Sequence, residues 1–110
     1  MGSKHLLAGR RGELIAAWFL TSRGCRVCEA NTRVDGDEID LVVMDGTDRV
    51  AVEVKSTTGP DDPLDAVDDH KWSHVERAVS AYPGAITRID LVGVREGPDG
   101  LAITWLRGVH

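Results

Sequence analysis

Proline is scarce in this chain, 4 in 110 residues; there are 2 cysteines, acids outnumber bases, and no apolar run approaches a membrane span. Each shortage excludes something. Few prolines beside 12 glycines, with 42% hydrophobic and 28% charged residues, describe an ordinary globular protein and not a disordered or fibrous one. A spanning helix needs about 20 apolar residues, and the start lacks the apolar core of a secretory signal. The expectation is a cytoplasmic protein whose residues 1–110 form one domain. Cys25 and Cys28 cannot close a zinc site alone. They fall in a strand-like segment, where residues three apart point to opposite faces, so two unpaired thiols are expected. Thirteen Lys and Arg against eighteen Asp and Glu give a net charge of -5, which argues against a nucleic-acid binder held by bulk positive charge.

The total conceals a segregation. Residues 35–69 hold twelve of the acids and two bases, Arg49 and Lys55, a balance of -10; the remainder carries +5. Lys4, Arg10, Arg11, Arg23, Arg26 and Arg33 crowd the first third. One part of the chain suits a cation, the other an anion.

From Leu6 to Ser22, residues Leu6, Gly9, Glu13, Ala16, Ala17 and Leu20 follow the three-and-four spacing of one helix face, and Gly24 supplies the stop. Cys25 to Ala30 reads as a short strand and Asn31 to Gly36 as a polar connection. Two alternating runs, Glu38 to Met44 and Arg49 to Lys55, flank Asp45-Gly46-Thr47-Asp48, a hairpin signal whose turn type stays open. Ser56 to Pro63 is a loop. A second helix is predicted over Leu64 to Tyr82, ended by Pro83-Gly84, then strands over Ile86 to Val94 and Leu101 to Leu106. The order α-β-β-β-α-β-β makes an α/β fold, a mixed sheet flanked by helices.

In the central hairpin, a two-residue loop between Asp45 and Asp48, or a four-residue one between Met44 and Arg49, pairs residues whose numbers sum to 93, which sets Asp40 opposite Glu53. Lys55 shares the face of Glu53, while Leu41, Val43, Val52 and Val54 point to the other side. Two carboxylates facing each other at about 4 Å repel by roughly 4 kcal/mol at an effective dielectric near 20. A divalent cation offsets that repulsion, Mg²⁺ being held by one or two carboxylates together with water and substrate phosphate. Lys55 is then placed to approach a phosphate. The competing reading is that Lys55 simply neutralises the pair as an exposed salt-bridge cluster worth about 0–1 kcal/mol.

Glu13 lies on the small-residue stripe of the first helix, where another element can approach closely; it is either a site carboxylate or a surface Glu favoured by the helix dipole. Lys71 interrupts the apolar stripe of Val67, Val75, Ala78 and Tyr82, as a site residue or as a lysine snorkelling past the core edge. His70 and His74, four apart, lack an evident third metal ligand. Asp61, Asp62, Asp65, Asp68 and Asp69 do not match a calcium loop and read as a solvated acidic segment.

Gly12-Glu13, Asn31-Thr32-Arg33, Glu38-Ile39-Asp40-Leu41, Glu53-Val54-Lys55, Lys71 and Arg88-Ile89-Asp90, in that order from about Gly9 to Gly108, resemble the YraN family of the PD-(D/E)XK nuclease superfamily, akin to archaeal Holliday junction resolvases. The resemblance implies a restriction-endonuclease-like core and a Mg²⁺- or Mn²⁺-dependent endonuclease acting on DNA, branched or single-stranded DNA included, with a silent nucleic-acid-binding or adaptor role as the alternative. By position it makes Asp40, Glu53 and Glu13 metal ligands, with Val54 among the metal-binding positions. Lys55 would be the catalytic lysine and Lys71 a phosphate contact, with Arg10, Arg11 and Arg33 as nucleic-acid-binding bases. Proteins of this architecture often pair to cut two strands, so a homodimer is in view. Ser56-Thr57-Thr58 stands where the family usually has bases after E-V-K, and Asp35-Gly36-Asp37 adds negative charge before Glu38.

Overall fold

The computed structural model describes residues 3–60, 62–66 and 69–109, with the backbone alone for 3–9, 65, 66 and 69–71. The chain forms α1 (Ser3–Ser22), β1 (Arg26–Val34), β2 (Asp37–Asp45), β3 (Asp48–Thr57), a short 3-10 turn (Pro63–Ala66), α2 (Asp69–Ala81), β4 (Arg88–Gly97) and β5 (Gly100–Leu106). The five strands lie in sequence order in one sheet. β3 and β4 pair in parallel and the other neighbours antiparallel, so the sheet is mixed as expected. A parallel neighbour cannot be reached by a tight turn, and α2 is the crossover that the β3–β4 pairing needs.

The two helices cover opposite faces. Ala16 and Leu20 of α1 pack with Leu41, Val43, Val50, Val52, Val92 and Val94. Val75 and Ala78 of α2 pack with Val34, Ile39, Val42, Ala51 and Ile89. This division is the period-two alternation of the hairpin strands made solid. The hairpin register is the predicted one, running from Asp45 opposite Asp48 to Leu41 opposite Val52. Gly46 has a φ of 63°, which suits the first central position of a II′ turn.

Several boundaries differ from the sequence reading: β3 runs on to Thr57, inside the predicted loop, and β4 spans Arg88–Gly97 where the sequence predicts Ile86 to Val94. α1 begins at Ser3, not Leu6. The predicted second helix is divided into the 3-10 turn and α2, with residues 67 and 68 between them outside the described residues. The largest difference is in β1, which runs through the supposed connection to Val34 and turns at Asp35-Gly36, with φ values of 51° and 86°. Both central residues take the left-handed region that a I′ hairpin turn requires. β1 is an edge strand whose side chains are mostly exposed, so no apolar alternation marks it in the sequence. Cys25 is buried and Cys28 exposed, both unbonded thiols as expected, with an irregularity in the β1–β2 pairing between Val27 and Glu29.

A second network fastens the turn end of the central hairpin. Asp90, fully buried, accepts from Arg88 Nε and Nη2, from Trp105 Nε1 and from the Gly108 N–H, each at 2.9 Å. Arg88 also reaches Asp45 at 2.7 Å and Asp48 at 3.2 Å. Arg88 thus ties β4 to the hairpin turn, and Asp90 ties it to β5 and the C-terminal segment.

Candidate metal centre

Glu13, Glu38 and Asp40 each offer a carboxylate oxygen within 4.8 Å of the other two. They come from α1 and from the end of β2 away from the hairpin turn. Two local features bring them together. Gly12 is buried where α1 crosses β3, and a Cβ there would lie 2.7 Å from Ser56 Oγ and 2.8 Å from Ser56 Cβ. Only a residue without a side chain lets the helix settle so close, and the next residue is Glu13. On the sheet, Ile39 packs with the α2-side cluster whereas Leu41, two residues on, packs with the α1-side cluster. Alternation therefore breaks at Asp40.

The facing strand is irregular on the same rung. Asn31 falls between the Ala30–Leu41 and Thr32–Ile39 pairs, opposite Asp40, with a left-handed φ of 53°. Its amide Nδ2 donates to Glu13 Oε2 at 2.6 Å and to Glu38 Oε1 at 3.3 Å. Strained backbone of this kind costs on the order of 1–3 kcal/mol and persists where surrounding contacts hold it. Burial is the main cause that lifts the Glu13 carboxyl above its ordinary pKa; the Asn31 hydrogen bond opposes the lift, and the charge of Glu38 adds to it.

Asp40 is nine-tenths buried, and its Oδ2 accepts the Val54 N–H at 2.8 Å. That bond ties β2 to β3 one step beyond the Leu41–Val52 pair. Glu53, 2% exposed, stands on β3 with Lys55 Nζ 3.9 Å from its Oε1. Its charge also raises the Glu13 pKa, so it acts on the trio without sharing its short oxygen separations. Val54 contributes its main chain here and packs its side chain against the α1-side core.

Other named residues are placed as follows. Arg10 is exposed beside Glu13 along a depression of about 360 Å³, and Arg33 is exposed on β1. Arg11 is exposed and makes three hydrogen bonds of 2.9–3.0 Å to Glu96. Lys71 lies in α2 and its side chain, like those of His70, Asp61, Asp65, Asp68 and Asp69, lies outside the described residues. His74 Nδ1 is 2.7 Å from Asp37 Oδ1. Asp62 Oδ1 accepts the Leu64 N–H at 3.0 Å, a local turn cap.

Glu38 and Asn31 are the members of the cluster that no role was assigned in the sequence. Glu38 had a signal, because period two places it on the side of Asp40. Asn31 had none beyond its tolerance of the left-handed region, since its partners are 18 and 7 residues away.

A mixed five-stranded sheet between two helices, with carboxylates of α1 and β2 gathered at one end, is a restriction-endonuclease-like α/β fold. The uncharacterised protein family UPF0102 matches residues 12–94. Similar chains include a UPF0102 protein of Arthrobacter sp. (strain FB24), 36% identical over 118 residues, covering 99% of both chains. Another, from Symbiobacterium thermophilum, is 39% identical, covering 84% of this chain and 85% of its own. A third, from Thermotoga maritima, is 36% identical, covering 88% and 95%. The chain belongs to UPF0102, the YraN family that its motifs resemble.

Proposed function

We propose that the protein is a divalent-metal-dependent endonuclease that hydrolyses phosphodiester bonds in DNA. The observation that carries this reading is the mutual approach of Glu13, Glu38 and Asp40 within 4.8 Å, with Lys55 and Glu53 on the neighbouring strand. Three carboxylates so close, one of them nine-tenths buried, form a hard oxygen donor set that fits Mg²⁺ or Mn²⁺. A bound ion would supply Lewis-acid stabilisation of the charge on the scissile phosphate.

The chain's own groups divide the remaining work. Glu13, Glu38 and Asp40 would hold the ion. Glu53, buried, holds the Lys55 ammonium at the rim, where it meets a phosphate oxygen or orients the attacking water. Asn31 fixes the Glu13 and Glu38 carboxylates, and exposed Arg10 and Arg33 receive the flanking phosphates. The local basic surface makes DNA binding compatible with the net charge of -5.

The test is a cleavage panel of single-stranded, duplex, flap and four-way-junction DNA with Mg²⁺, Mn²⁺ or chelator. Cleavage is expected only with metal, and Lys55→Ala should lower it by about 100-fold or more, the scale on which removing one charge-stabilising donor acts. Asp40→Ala should abolish it together with divalent-ion binding. No cleavage of any substrate, or full activity in Lys55→Ala, overturns the proposal.

A further inference from the structure

The outer stripe of α1 is apolar where a helix surface is ordinarily polar. Leu14 is 72% exposed and Trp18 63% exposed, and with Arg11, Ile15 and the half-exposed Leu101 they line a depression of about 400 Å³. Leu14 also lines the neighbouring depression that holds Arg10 and Glu13. The apolar face therefore adjoins, through Leu14, the depression that Glu13 of the carboxylate cluster lines.

Resting on the nuclease reading, we propose that Leu14 and Trp18 form a platform on which an unpaired base of the bound DNA strand stacks, next to the phosphate that a divalent ion at Glu13, Glu38 and Asp40 would contact. Charge and the adjoining carboxylate site favour this occupant. Among the described charged side chains of α1, Arg11 is bound to Glu96, whereas Arg10 is exposed beside Glu13 on the N-terminal side of the apolar stripe. A strand of nucleic acid presents the matching combination, a phosphate for Arg10 and π-faces for the indole. Leu14 and Trp18 are one helical turn apart, about 6 Å along the axis, so one base spans them. A duplex keeps its base faces stacked inside and offers the platform nothing, so the surface selects single-stranded or unpaired DNA.

The experiment is binding of a fluorescently labelled single strand and a blunt duplex of the same length, in chelator and in Ca²⁺, to the wild type, Trp18→Ala and Trp18→Phe. Trp18→Ala should bind the single strand about 5- to 150-fold more weakly, the range that loss of one base–aromatic stack produces. Trp18→Phe should recover most of the affinity, while duplex and Mn²⁺ binding stay unchanged in both. Equal single-strand affinity in the wild type and Trp18→Ala overturns the platform, and does so without touching the nuclease proposal if metal-dependent cleavage persists. Sedimentation of the same proteins covers the rival occupant: a dimer that Trp18→Ala dissolves, with DNA affinity unchanged, assigns the face to a second copy and overturns the proposal. Absence of all DNA binding and cleavage in the wild type removes both readings together.

Discussion

Replacing Glu38 by Gln should stabilise the metal-free protein and remove most of its stabilisation by Mn²⁺. The side-chain oxygens of Glu13, Glu38 and Asp40 lie within 4.8 Å of one another. At 4.8 Å and an effective dielectric near 20, a pair of full charges repels by about 3.5 kcal/mol before solvent screening. Glu38 is solvent-exposed, so screening reduces its share to roughly 1 kcal/mol. For a chain of this size that is a rise in Tm of about 4–8 °C, measured by thermal denaturation in chelator. Gln keeps an oxygen acceptor for the Asn31 amide, so the hydrogen bond survives while the charge goes. In the wild type, Mn²⁺ at 100 times its Kd should add about 2.7 kcal/mol. Glu38→Gln should gain well under half of that at the same concentration. A lower Tm than wild type in chelator would refute the repulsion, and an undiminished Mn²⁺ shift would refute Glu38 as a ligand.

Glu13, whose pKa is raised by folding, holds its proton in the native state at pH values where the unfolded chain has lost it. Metal-free stability should therefore fall as pH rises from the ordinary carboxylate value of 4.5 through the raised one, and Glu13→Gln should flatten that slope in a Tm-against-pH series. Asp90→Ala strands the Trp105 and Gly108 donors and half of the Arg88 fork. Chemical denaturation should show a loss of about 3 kcal/mol, at the low end of the range for a broken buried pair because Arg88 keeps Asp45 and Asp48. Mn²⁺ affinity of the folded fraction should be unchanged in that variant. Gly12→Ala should cost about 1–3 kcal/mol from overpacking, partly offset by better helix propensity, and should weaken Mn²⁺ binding by displacing Glu13. Adding Ser56→Gly should restore the metal affinity; titration calorimetry on the pair of variants decides it.

What was legible in the sequence was whatever a side-chain pattern encodes. The hairpin register followed from Leu41 and Val43 alternating against Val50 and Val52 around a turn of fixed length, and it set Asp40 beside β3. Glu13 stood out as a carboxylate on a stripe of small residues; the close approach itself is made at the residue before it, where Ser56 packs against Gly12. β1 was underread because its pairing with β2 is a matter of main-chain hydrogen bonds, while its outward side chains are free to be polar. Glu38 was hidden among Asp35, Asp37 and Asp40, where any acid resembles solvated charge. Asn31 was hidden because its significance is a backbone angle and two bonds formed only when α1, β1 and β2 have met.

Part of the acid of residues 35–69 lies at two ends of one hairpin, and the ends are built differently. At the turn, Asp45 and Asp48 meet the guanidinium of Arg88, which buried Asp90 clamps from behind. At the far end, Glu38 meets Glu13 and a neutral amide. Charge of the same sign is compensated in one place and concentrated in the other, on strands that the same core holds rigid. Stability alone accounts for the first arrangement and opposes the second. Neutralising an acid should therefore have opposite signs along β2: Asp45→Asn, which removes a partner of Arg88, should lower Tm, whereas Glu38→Gln should raise it. If both lower it, the far-end cluster is ordinary packing, and the case for a cation there fails with it.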